Sequence, residues 1–205
     1  MRTAGEKILK DYKNFISING SAEISGLNKN SIDFIICSQS FHWFDRILCK
    51  KEFCRILKKN GYLVLIWNSR ISKHGFMDEY ENLLLKFGID YVNVNHDNID
   101  ESEIRDFFSP SSYVLKKFGN HQDLNFDSLL GRLLSSSYVP LKGSPDFDGM
   151  IIELKKIFNK NNYNGKVRMK YETIVYCGKL FIGNLKSEFF GMSIHLNIEF
   201  SFLIP

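Results

Sequence analysis

Apolar residues fall along this chain in short runs and in helical stripes, and the two alternate. Residues 32–37, Ile-Asp-Phe-Ile-Ile-Cys, form a run bounded by Asn30-Ser31 and Ser38-Gln39. Such a run predicts a strand buried on both faces of a parallel sheet. From Asp45 to Lys59, the apolar residues Cys49, Phe53, Ile56 and Leu57 recur at helical spacing with Lys and Arg between them. That predicts an amphipathic helix. Lys59-Asn60-Gly61 is expected to stop it, with Gly61 in the left-handed conformation of a C-terminal cap and Lys58-Lys59 as a solvated helix end favoured by the dipole. Tyr62 to Trp67 is apolar again, a second buried strand. Strand, helix, strand with short connections is one crossover unit of an α/β sheet.

The flanking segments follow the same logic. Thr3 to Tyr12 predicts a helix with Ala4, Ile8, Leu9 and Tyr12 on one face, and Phe15 to Ile18 a short strand. Phe76 to Phe87 predicts an amphipathic helix capped by Gly88. Residues 90–100 read as polar loop, and Ser102 to Phe108 as a short helix stopped before Pro110. Tyr113 to Phe118 predicts a strand. Phe126 to Leu134 and Phe147 to Asn159 carry helical apolar faces, with the loop Ser135 to Pro140 between them. Between Lys166 and Cys177 the chain alternates, with Val167, Met169, Tyr171, Thr173, Val175 and Cys177 on one side, the clearest strand pattern present.

Composition narrows the class. With 205 residues and 44% hydrophobic content, the chain supports one core. A net charge of +4 comes from lysines scattered among asparagine and isoleucine; no basic stripe marks a nucleic-acid surface. Cys37, Cys49, Cys54 and Cys177 form no C-x-x-C pair, and no histidine stands at zinc-ligand spacing from them, so no metal site is expected. Reduced thiols, no apolar stretch of signal-peptide length and none long enough to span a bilayer lead to the expectation of a cytoplasmic protein off the membrane.

Several motifs together resemble a known family. They are Gly20-Ser21-Ala22-Glu23, Gly26-Leu27, Ser31-Ile32-Asp33, the loop Gln39-Ser40-Phe41-His42-Trp43-Phe44-Asp45, and Gly61-Tyr62-Leu63 closing on Trp67-Asn68. In this order they resemble the second half of a class I S-adenosylmethionine-dependent methyltransferase, and more narrowly the small-molecule type 11 group. Gly131 to Tyr138 and Val167 to Gly178 resemble that family's lid and closing strand. The resemblance implies an α/β, Rossmann-like three-layer sandwich over residues 1–180. Residues 1–75 would supply the sheet half, 76–165 a helical lid plus one strand, and 166–180 the closing strand. Residues 181–205, where Leu196, Ile198, Phe200 and Phe202 alternate as an edge strand would, match nothing in the family pattern; recent read-through or a frameshift is the expected origin.

The resemblance also implies what is missing. The family opens with a strand feeding a glycine-rich loop and a second strand ending in an acidic residue for the ribose. Neither occurs in this sequence, so the sandwich is expected to be incomplete by its first two strands and that loop. The cofactor implied is S-adenosylmethionine. Ser21, Ala22 and Glu23 match the segment that contacts the adenine, and Ser38, Gln39 and Trp43 match the loop lining the donor pocket. His42 is the weak candidate for a general base, its unperturbed pKa lying near neutrality; a packed His-Trp cluster is the competing reading. Trp43 and Phe44 are expected as core aromatics, Trp67 and Asn68 at the pocket border, and Tyr138 with Ser135 to Ser137 in an acceptor lid. The expected partner is a small-molecule methyl acceptor. A missing N-terminal portion would be supplied by a complementing fragment, or the exposed sheet edges would self-associate. A non-catalytic interaction module is the alternative function, and a basic nucleic-acid-binding fragment a third.

Overall fold

A computed structural model describes residues 2–72, 74–91 and 101–181. The elements are α1 (Arg2–Leu9), β1 (Ile32–Ser38), a 3-10 turn (Phe41–Trp43), α2 (Arg46–Ile56), β2 (Leu57–Arg70), α3 (Phe76–Phe87), α4 (Glu101–Phe108), β3 (Tyr113–Leu124), α5 (Phe126–Leu134), α6 (Phe147–Asn161) and β4 (Val167–Gly178). The strands form one sheet in the order β1-β2-β4-β3. β1 and β2 are parallel, with Ile36 opposite Val64, and β4 runs antiparallel to both β2 and β3. The crossover β1–α2–β2 is the unit that the apolar runs predict.

Helices cover the sheet on both faces. On one, α3, α5 and α6 bury Tyr80, Leu84, Leu129, Leu133, Met150 and Leu154 against Val167, Met169 and Tyr171 of β4. On the other, α2 and α4 bring Phe53, Ile104, Phe107 and Phe108 onto Leu63, Leu65 and Trp67 of β2. The alternation of β4 holds: its inward residues are those named from the sequence. Removing this much apolar surface from water is the main force holding the layers.

Several expectations change. The helix α2 ends at Ile56, not at Lys59, and Leu57 to Asn60 already belong to β2. Gly61 is a strand residue: an added Cβ would lie 3.0 Å from the carbonyl oxygens of Ile32 and Asp33. It is glycine because β1 passes that closely, beside the irregularity in the β1–β2 register between Ile32 and Phe34. Lys58 is therefore no helix end; its Nζ sits 2.8 Å from Asp33 Oδ2 across the strands. Gly88 does cap α3, donating to the Leu84 carbonyl, but at φ −69°, outside the left-handed region.

Further changes concern the chain's first third. Residues 15–18 form no strand, because no neighbouring strand among the described residues offers them a ladder. β1 is an edge strand buried on one face only: Cys37 is buried, while Phe34 and Ile36 are 51% and 63% exposed. The apolar face of α1 is also uncovered, and none of its residues is buried. Residues 92–100 and the alternating tail residues 196–202 lie outside the described residues. No described helix is long and apolar enough to cross a membrane.

Candidate functional site

The C-terminal end of β1 turns abruptly. Gln39 has φ +49°, its N–H donates to the Ile66 carbonyl at 3.0 Å, and its Nε2 donates to the Asn68 carbonyl at 3.2 Å. This pins the loop against the end of β2, where ligands of open α/β sheets bind. Phe41 anchors the next turn from below. It is fully buried and meets Phe107, Trp67 and Phe44 edge to face at 4.7, 6.1 and 6.1 Å. Asp45 then caps α2, its Oδ1 accepting from the amides of Ile47 and Leu48 at 3.0 Å each, which is worth about 1 kcal/mol.

The structure places the segment 21–23 beside this loop. Glu23 Oε1 accepts the Asp45 amide at 3.2 Å and the Cys49 thiol at 3.4 Å. Its own amide first, then the Ser21 hydroxyl, hold the Glu23 carboxyl below the usual range. Ser21 closes a tight turn, its Oγ accepting the Ile24 amide at 3.1 Å. Ala22 packs on the β2 core. Trp43 is corrected: with no helix above the turn among the described residues, it is 71% exposed and forms a rim, while Phe44 is a core residue as expected. The imidazole of His42 lies 4.8 Å from the Trp43 ring, and its two nitrogens are buried. Trp67 is core, not border, and Asn68 Oδ1 accepts the Thr173 hydroxyl at 2.6 Å.

A brace behind the site holds residues 25–27 to α2. Glu52 Oε1 accepts the Ser25 amide at 3.0 Å, and Arg55 Nε donates to Glu52 Oε2 at 2.7 Å. Arg55 Nη2 reaches the Leu27 carbonyl at 2.6 Å. Arg55 and then Ser25 pull the Glu52 carboxyl down to about 2. A depressed carboxylate pKa contributes stability that is present above the unfolded value and lost as pH falls toward the folded one. Glu52→Gln should therefore lower urea stability at pH 7 by about 1.5–3 kcal/mol. The deficit should hold down to about pH 4.5 and shrink below it. A deficit that is equal at pH 7 and pH 3 contradicts this account of Glu52.

A second polar cluster joins the end of β2 to the helices beyond. Arg70 Nη2 donates to the Tyr91 hydroxyl at 2.5 Å and Nη1 to the Tyr138 hydroxyl at 3.3 Å. Tyr91 in turn donates to Glu81 Oε1 at 2.5 Å, and Glu81 Oε2 stands 3.7 Å from Arg70. Burial opposes the charge on Arg70, but Tyr138, Tyr91 and Glu81 outweigh it and keep the guanidinium protonated. Only Tyr138 of this group stands out in the sequence. Arg70, Glu81 and Tyr91 carry no motif; the one signal is a charged residue closing a long apolar run.

Nucleophilic chemistry finds no support here. Burial pushes the Cys37 thiol up to about 12, and burial followed by Glu23 does the same for Cys49, so neither is a thiolate at neutral pH. Among the described residues no three His, Cys, Asp or Glu side chains converge to hold a metal ion.

Comparison with known proteins meets this geometry. Residues 1–65 match the family model described as a methyltransferase domain. An uncharacterized methyltransferase-like protein and an uncharacterized methyltransferase, both of Schizosaccharomyces pombe, are 35% and 39% identical over 78 and 77 residues. Each match covers 38% of this chain, and 30% and 31% of the relatives. The chain thus spans about a third of the curated relatives it matches. A type II methyltransferase structure from Anaeromyxobacter dehalogenans, 18% identical, superposes with a TM-score of 0.56 over 78% of this chain and 69% of that one. The YcgJ protein of Bacillus subtilis, 20% identical, gives 0.50 over 88% and 77%. Residues 1–65 are thus similar to a methyltransferase domain, and the sheet they lead into shares the Rossmann-like fold of these solved structures.

Proposed function

We propose that this chain is the acceptor-side portion of an S-adenosylmethionine-dependent methyltransferase of small molecules, cytoplasmic, and impaired in donor binding on its own. The observation that carries the second half is the unfinished edge. Among the described residues β1 has no strand beyond it, Phe34 and Ile36 face water, and Ile16 and Ile18 wait in coil. Exposed apolar positions and unpaired strand amides in one region favour a partner strand there.

The residues present suit one side of a nucleoside. Ser21, Ala22 and Glu23 would border the adenine, and Ser38, Gln39 and Trp43 would line the donor pocket. No glycine-rich loop or ribose carboxylate is among this sequence's residues, so nothing here grips the methionine end. The bound cofactor would supply the electrophilic methyl group. This chain's own part is to hold the loop 39–45 rigid through Phe41 and Gln39, and to align an acceptor, which is where the rate of such a transfer comes from. His42 would accept a proton only from an acceptor reaching under Trp43.

The same edge supports a second reading, a non-catalytic module that pairs β1 with another chain. A labelled-methyl assay separates the two. The chain is assayed alone and with the residues preceding the matched region of an S. pombe relative fused ahead of residue 1. Label should enter solvent-soluble small molecules with the fusion and stay at background with the chain alone. Label only in protein or nucleic acid removes the small-molecule reading. No label with the fusion favours the interaction module.

A further inference from the structure

Two arginines and several tyrosines converge where β2, β4 and the helical layer meet, and no role in the fold accounts for all of them. Arg70 ends β2; its Nε–H is buried and has no partner. Arg132, in the last turn of α5, stands 5.3 Å over the Tyr171 ring and is half-buried. Among the described residues no carboxylate is paired with Arg132. Tyr80, 1% exposed, is within electrostatic reach of both arginines and of Tyr138 and Tyr171. Glu81 is the one carboxylate among the described residues of the cluster, and it faces Arg70. Counted over the described residues, the cluster therefore holds one positive charge in excess, beside tyrosine rings. Such a charge is costly to bury unless an anion joins it.

We propose that Arg70 and Arg132, with the hydroxyl of Tyr138 and the ring of Tyr171, form a recognition subsite for a carboxylate, which makes the methyl acceptor a small organic acid. The word acceptor rests on the methyltransferase reading; the carboxylate subsite does not. A guanidinium fork matches a planar carboxylate. A single excess charge suits a monoanion better than a phosphate dianion. Aromatic walls suit an acid with an apolar body. The subsite lies at the C-terminal end of β2, the sheet end that also carries the loop 39–45 and where open α/β sheets bind ligands, on the face covered by α3, α5 and α6.

The test needs no donor. Benzoate, neutral benzamide and phenyl phosphate are titrated into the chain by calorimetry. Benzoate is expected to bind saturably, and benzamide about tenfold more weakly or worse, as the loss of a charge-assisted hydrogen bond implies. Arg132→Ala should weaken benzoate about tenfold or more and leave benzamide unchanged; Arg132→Lys should lose less. If Arg132→Ala does not fold, Arg132→Gln, checked by circular dichroism, carries the comparison. Equal binding of benzoate and benzamide, no benzoate binding, or indifference to the Arg132 variants overturns the proposal. Phenyl phosphate binding tighter than benzoate also overturns it, in favour of a phosphate site. Methyl transfer to neutral molecules without benzoate binding would sink this subsite and leave the proposed function standing.

Discussion

Arg70→Ala should lower the chain's unfolding free energy by about 3 kcal/mol, the usual cost of removing one partner from a buried ionic network. The side chains of Arg70 and Glu81 are 15% and 21% exposed, so water replaces little of what the substitution removes. Glu81 is left facing Tyr91 without a cation, and the Tyr138 hydroxyl without its donor. Arg70→Met keeps volume and removes charge, and should recover only the packing share. Urea unfolding of the three proteins at pH 7 measures this. A loss under about 1 kcal/mol for Arg70→Ala would mean an ordinary surface pair.

Phe41→Ala should cost about 3–5 kcal/mol, because the ring is fully buried and a cavity of its size does not collapse without moving the sheet. It should also release the loop 39–45. Phe41 is the contact through which that loop touches Trp67 of β2 and Phe107 of α4. Amide exchange of residues 39–45 should then speed up more than that of β4. Phe41→Leu should restore most of the stability. Uniform acceleration across the sheet would show that Phe41 serves the core alone and not the loop.

The elements legible in the sequence are those whose apolar faces meet another part of this same chain. α3, α5 and α6 show helical stripes because β4 receives them, and β4 alternates because its inner face does. Residues 15–18 have the composition of a strand, but a strand is made by its neighbour, and none is present among the described residues. Phe34 and Ile36 read as buried for the same reason. The pattern records a face that the described residues leave uncovered. The length of β2 is hidden by Lys58-Lys59-Asn60, a polar opening that looks like a turn; only the approach of β1 explains Gly61.

The site is legible in part. Ser21 to Glu23 and the loop 39–45 read as one region, and the Glu23–Asp45 contact brings them together. Trp43 reads as core but stands at the rim, because an aromatic beside a core turn gives no sign of which way it points. The convergence of Arg70, Glu81, Tyr91 and Arg132 is invisible, although Arg132 falls in the lid segment 131–138, because it depends on how the helices dock on the sheet. No spacing within one segment encodes it.

In the proposed function this chain carries the floor of a donor pocket, and a strand-and-loop segment beside β1 supplies the wall. Calorimetric titration of S-adenosylmethionine into the chain alone and into its N-terminally extended fusion tests it most directly. Several charge-assisted hydrogen bonds to the donor, absent together, amount to about 10³-fold or more in affinity. The account predicts no saturable heat for the chain alone and a gain of at least that size for the fusion. Micromolar binding by the chain alone, or no gain on extension, would contradict it.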